Sequence, residues 1–96
     1  MFLGAYRFDG AADDLLAAYH RLLQFVPAAN LHFHACAVDP TGLWVYDACP
    51  TREVFQAFAA GEGFRLAVRA AGLPAPHVME IGELHAAFVQ GRQVIA

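Results

Sequence analysis

His32, His34 and Cys36 stand two positions apart in the stretch Asn30-Leu-His-Phe-His-Ala-Cys-Ala-Val38. On a β-strand, side chains spaced by two project from the same face, so this spacing gathers two imidazoles and a thiol on one surface. Leu31, Phe33, Ala35 and Ala37 form the apolar opposite face. Three chemistries suit such a set. Two imidazoles on one strand can begin a divalent-metal site, with His77, His85, Glu80 or Glu83 supplying a third ligand. Imidazoles also exchange protons near neutral pH, the requirement for a general base. A thiol beside an imidazole can act as a nucleophile. His34 and Cys36, however, lie about 6–7 Å apart along a strand, too far for direct contact. The plainer readings are polar side chains lining a wet cavity or an interface, and a small buried thiol.

The next residues decide what shares that face. Asp39-Pro40-Thr41-Gly42 carries Asp, Pro and Gly where a type I turn takes them, which predicts a hairpin. A left-handed Gly42 in a three-residue loop sets Cys36 opposite Tyr46 and Val38 opposite Trp44. Trp44 and Tyr46 then join the histidine face, while Leu43 and Val45 join the apolar one. With Tyr6 from an earlier strand, the expected pocket is lined by Tyr6, His32, His34, Trp44 and Tyr46, and Cys36 and His85 complete the substrate-binding set. Its expected ligand is a small apolar or aromatic molecule. Asp47 is expected to cap the following helix, and His20 to be a surface residue. Arg7 is expected in an ion pair with Asp9 or Asp47, and Arg65 and Arg69, one helical turn apart, on a solvated helix face.

Composition narrows the field. The chain has 96 residues, with nine acids against six arginines and a net charge of −3, a balance that argues against nucleic acid as a partner. Lysine and serine are both absent, which excludes Schiff-base lysines, serine nucleophiles and a phosphate-loop lysine. Hydrophobic residues make up 58%, above the globular norm of about 45–50%, so self-association is expected. No apolar run reaches the roughly 20 residues of a membrane span, and the start shows no signal-peptide pattern, so the expectation is a soluble cytoplasmic protein with no membrane contact. Cys36 and Cys49 are expected to stay free.

The elements that position these residues follow from periodicity. Residues 2–8 form an apolar run closed by Asp9-Gly10, a strand and a turn. Leu15, Leu16, Tyr19, Leu22, Leu23 and Val26 trace one stripe of a helix that starts at Asp13 and Asp14 and stops at Pro27. After the hairpin, Thr51 can cap a helix with Val54, Phe55 and Phe58 inward, interrupted at Gly61-Glu62-Gly63 and ended by Gly72-Leu73-Pro74. A final strand region covers residues 77–89 with a bulge at Gly82, and residues 90–96 read as a loose tail.

The order strand, helix, strand, strand, helix, strand predicts a single α+β domain: a ferredoxin-like βαββαβ antiparallel sheet with two helices on one face. The element order, the hairpin from Cys36 to Tyr46, and the interrupted helix Val54-Phe55…Phe58…Gly63-Phe64-Arg65 resemble the dimeric α+β barrel superfamily, which includes small antibiotic-biosynthesis-monooxygenase-like proteins. That resemblance implies a homodimer whose helix-free sheet faces close around a cavity. It implies cofactor-independent oxygenation, isomerisation or cyclisation of an aromatic or polyketide-like substrate, with His34 as general base and Tyr46 or His32 orienting the ligand or donating a proton. Two alternatives stay open, a metal-binding protein built on His32 and His34 and a non-catalytic dimerisation module.

Overall fold

The computed structural model describes residues 1–27 and 31–95. In chain order the elements are β1 (Phe2–Asp9), α1 (Ala12–Phe25), β2 (Phe33–Asp39), β3 (Gly42–Cys49), α2 (Arg52–Ala59), α3 (Glu62–Ala71), β4 (His77–Glu83), β5 (Ala87–Val89) and β6 (Arg92–Ile95). Strands β1 to β4 make one antiparallel sheet in the order β2-β3-β1-β4, and β5 and β6 make a separate two-stranded pair. This α+β arrangement is compatible with a ferredoxin-like fold.

Local signals explain the helices. Thr51 accepts a hydrogen bond from the Val54 amide at 3.2 Å and so starts α2. Gly61 separates α2 from α3, so the expected second helix is two shorter ones. Gly72 ends α3 in the left-handed conformation at φ 88°, with its own amide and that of Leu73 returning to the carbonyls of Arg69 and Val68. The helices turn Leu15, Tyr19, Leu22, Phe55 and Val68 onto Phe2, Tyr6, Phe8, Leu43 and Val45 of the central strands, and these side chains form one buried cluster. All three helices therefore cover the same sheet face. No helix among the described residues is long and apolar enough to cross a membrane.

The β2–β3 register differs from the expected one by a single residue. Asp39 pairs with Gly42, Cys36 with Val45 and His34 with Asp47, across a two-residue loop of Pro40 and Thr41. Asp39 itself fixes that loop, because its carboxylate accepts from the Thr41 amide at 2.9 Å and hydroxyl at 3.1 Å. Arg7 then reaches across from β1 to fork onto the same carboxylate at 2.7 and 3.2 Å. Gly42 is not left-handed. It is glycine for want of space, since a Cβ there would run into the Phe8 carbonyl and the Arg7 guanidinium.

A one-residue slip exchanges the two faces of a strand pair. His34 and Cys36 thus face the helices beside Val45 and Asp47, and Tyr6 lies in the helix-side core. Trp44 and Tyr46 pair with Ala37 and Ala35 on the helix-free face, together with Phe33, Leu3 and Met79. There the Arg7 guanidinium sits 5.0 Å over the Trp44 ring.

The end of the chain differs as well. The strand expected to run to residue 89 stops at Glu83, after a bulge where Gly82 pairs with Leu3 and Glu80 with Gly4. Residues 92–95 of the expected tail form β6, turned back on β5 through Gln90 at φ 52° and Gly91 at φ 77°. Residue 96, expected in that tail, and residue 30, expected at the head of the histidine strand, lie outside the described residues.

Candidate functional site

The inward polar side chains of β2 and β3 meet one tyrosine of α1. His34 Nδ1 lies 2.6 Å from Asp47 Oδ1, and His34 Nε2 lies 2.5 Å from the Tyr19 hydroxyl. A carboxylate only accepts, so the Nδ1–H donates to Asp47 and Nε2 is left to accept from the Tyr19 O–H. The imidazole and phenol planes are 2° from parallel. Asp47 is 7% exposed, the single buried charged residue among the described residues, and is held in place by the bond from His34.

Tyr6 is a second buried phenol on the same face of the sheet. Its ring packs on Phe55 and Phe64 with centroids 5.6 and 5.0 Å apart. Its hydroxyl is fully buried and has no hydrogen-bond partner. Burial, with Asp47 and Cys49 nearby, holds the Tyr6 hydroxyl far above the ordinary phenol range. Burial raises Tyr19 too, helped by Cys36 and Asp47, so both phenols keep their protons at neutral pH.

A small cavity of about 20 Å³ lies among Tyr6, Tyr19, His34 and Asp47, walled by Phe8, Leu22 and Val45. It has room for one water-sized group. A larger pocket of about 410 Å³ adjoins it, and Val26, Leu31, Asp47 and Phe58 line both. His32, exposed and one residue ahead of β2, sits on the wall of this outer pocket. The arrangement is an apolar pocket beside a hydrogen-bonded imidazole, carboxylate and phenol.

The predicted site residues are thus divided. Tyr6, His34 and, at the rim, His32 come together, but on the helix side of the sheet. Trp44 and Tyr46 stack on each other at 6.3 Å on the opposite face and cannot serve His34. His85 is exposed in the connection after β4 and belongs to neither surface. Cys36 is half-buried, and its thiol is pushed up by burial against a smaller opposing effect of Tyr19, which leaves little thiolate for nucleophilic work. Cys36 and Cys49 are both free. Arg7 pairs with Asp39 and Asp9 and not with Asp47. Asp47 caps no helix; Thr51 does.

No group of three His, Cys, Asp or Glu side chains among the described residues is placed to hold a metal. Both ring nitrogens of His34 are already engaged, so it is not preassembled with His32 as a ligand pair. Tyr19 and Asp47, the two partners of His34, are not among the site residues expected from the sequence. The signal for Asp47 was present, since Leu43, Val45 and Asp47 alternate and so put a carboxylate on the apolar face. Tyr19 was visible as the one hydroxyl in the buried stripe of α1. Comparison with protein-family models, with curated protein sequences and with solved structures finds no match to the chain.

Proposed function

We propose that this chain binds a small, largely apolar molecule in the outer pocket and moves protons on it through Tyr19, His34 and Asp47. The carrying observation is the continuous row Asp47–His34–Tyr19 beside an apolar pocket. Asp47 fixes the imidazole tautomer and offsets the charge when His34 takes a proton, and Tyr19 passes the proton because it occupies Nε2. The reaction class is proton abstraction and return, as in an isomerisation or cyclisation, with the side chains themselves supplying the acid and the base.

The test is a set of small aromatic ketones, phenols and hydrocarbons screened by ligand-observed NMR, followed by solvent-deuterium incorporation into those that bind. The wild-type protein is expected to bind members of the set and to exchange their acidic C–H protons. His34→Gln and Tyr19→Phe, folded by circular dichroism, are expected to bind equally but to exchange at least about 10²-fold more slowly. Exchange unchanged in both variants contradicts the reading.

We further propose that a second copy covers the helix-free face, closing the dimeric α+β barrel that the sequence resembles. Leu3, Phe33, Trp44, Tyr46 and Met79 are only half-buried there and Ile81 is 54% exposed, an apolar surface that a soluble monomer rarely leaves bare. Ile81→Arg is expected to shift sedimentation from dimer to monomer; a wild-type monomer at micromolar concentration contradicts this part. The alternative of a dimerisation module without chemistry predicts the same sedimentation and no ligand bound in the screen.

A further inference from the structure

Arg65 and Arg69 stand one turn apart on α3 and take no part in the Asp47–His34–Tyr19 row. Both line a groove of about 620 Å³ between α3 and the chain entering β4, with Phe64, Val68, Pro76 and Val78 as apolar walls. Val68 is buried and Phe64 half-buried, while both arginines are exposed, so the groove has an apolar floor and a cationic rim. Its size falls within the usual span of small-molecule sites.

The two guanidiniums are weakly committed. Arg7 and Arg52 are bonded to carboxylates and Arg21 to the Ala71 carbonyl. Arg65 reaches Glu62 at 3.5 Å, between two exposed side chains, a contact of little worth. Arg69 makes no ion pair or side-chain hydrogen bond among the described residues, and none of the described residues lining the groove is acidic. Two guanidiniums and Glu62 leave one net positive charge at the rim, which matches a singly charged carboxylate better than a doubly charged phosphate ester. Past Ala59, Ala60 and Val78 the groove continues into a more open apolar trough bordered by Glu80, whose carboxylate already accepts from Arg52 and Gln56. That end offers no free cation, and its length suits an extended chain.

We propose that this groove binds a monocarboxylate with an unbranched apolar chain, its carboxylate between Arg65 and Arg69 and its chain laid along Phe64, Val68 and Val78. The site is separate from the one proposed above. It shares no residue with the outer pocket and only Phe64 with the small inner cavity.

The experiment compares octanoate with 1-octanol, the same chain without the charge, by amide chemical-shift titration of the full chain and of the double variant Arg65→Gln, Arg69→Gln. Both arginines are exposed and the apolar walls are untouched, so the variant is expected to fold. Wild-type protein is expected to bind octanoate about tenfold more tightly than octanol, the worth of two charged contacts at a solvated rim, with shifts at Gly61, Phe64, Val68 and Val78. Salt at about 0.5 M should reduce that preference several-fold, because rim charges are screened. The double variant is expected to bind octanol as before and to lose the preference. Equal binding of octanoate and octanol by wild type overturns the proposal, as does a preference that survives in the double variant. Octanoate shifts confined to Val26, Leu31 and Phe58 overturn it as well, since the chain then lies in the outer pocket, whose own reading stands. Absence of octanoate binding at millimolar concentration overturns it without touching the proton-transfer row.

Discussion

Replacing Tyr6 by Phe should make the ligand-free protein more stable, although the change removes a polar group from the core. The ring makes its contacts through carbon, with Phe55 at 5.6 Å and Phe64 at 5.0 Å between centroids, and Phe preserves both. What disappears is a hydroxyl that is fully buried with no partner. Leaving such a group unpaired costs about 1–3 kcal/mol, and the space vacated by one oxygen atom adds a smaller opposing cost. The net gain expected is about 1 kcal/mol, or roughly 4–8 °C in Tm for a domain of this size. Urea unfolding at a fixed protein concentration reads it directly, with an unchanged slope showing that the midpoint shift is a stability change. A loss of about 1 kcal/mol or more would show instead that the hydroxyl is well paired in solution.

Other consequences follow from particular contacts. Gly42→Ala drives a Cβ into the Phe8 carbonyl and the Arg7 guanidinium, and is expected to cost at least about 2 kcal/mol in urea unfolding; a neutral change would contradict the assigned register. Thr51→Ala removes the cap on α2 and should cost about 1 kcal/mol, with Thr51→Asn close to neutral in the same assay. Arg7 holds the carboxyls of Asp39 and Asp9 below their usual values, and Gln56 and Arg52 do so for Glu80. A carboxylate depressed in the folded state stabilises it above the unfolded value and loses that contribution as pH falls through the folded one. The urea midpoint should therefore drop from about pH 5 to about pH 3, less steeply in Arg7→Gln, and a flat profile would contradict the pairing. His34→Ala strands Asp47 as an uncompensated buried carboxylate and should cost about 3–5 kcal/mol, so Gln at this position gives the cleaner functional probe.

The helices were legible because their signals are local. The stripe of α1, the cap at Thr51, the break at Gly61 and the left-handed stop at Gly72 each need only a few neighbouring residues. The register of β2 on β3 was not local. It depends on Arg7 arriving from β1 to grip Asp39 and on the crowding this imposes on Gly42, which the sequence alone presented as a turn glycine. That one-residue difference carried His34 and Cys36 from the outer face to the helix face and parted them from Trp44 and Tyr46. His34 itself bonds Asp47 and Tyr19 on the helix side of the sheet, not the aromatic residues expected beside it. Asp47 was readable from its alternation with Val45 and Leu43. Tyr19 could be placed in the core but not against His34, because that contact joins two elements whose separation depends on packing. The β5–β6 pair escaped notice because Gln90, unlike Asn or Gly, is not a residue that advertises a positive φ.

Under the proposed function a small molecule is held on the helix side of the sheet, near Tyr19, His34 and Asp47, and not on the outer sheet face. Amide chemical-shift mapping with 2-tetralone on uniformly labelled protein tests this most directly. Shifts are expected to concentrate at Tyr19, Leu23, His34, Asp47 and Phe58, around the two adjoining cavities. Shifts concentrated instead at Ala35, Ala37, Trp44 and Tyr46 would contradict it and return the site to the helix-free face.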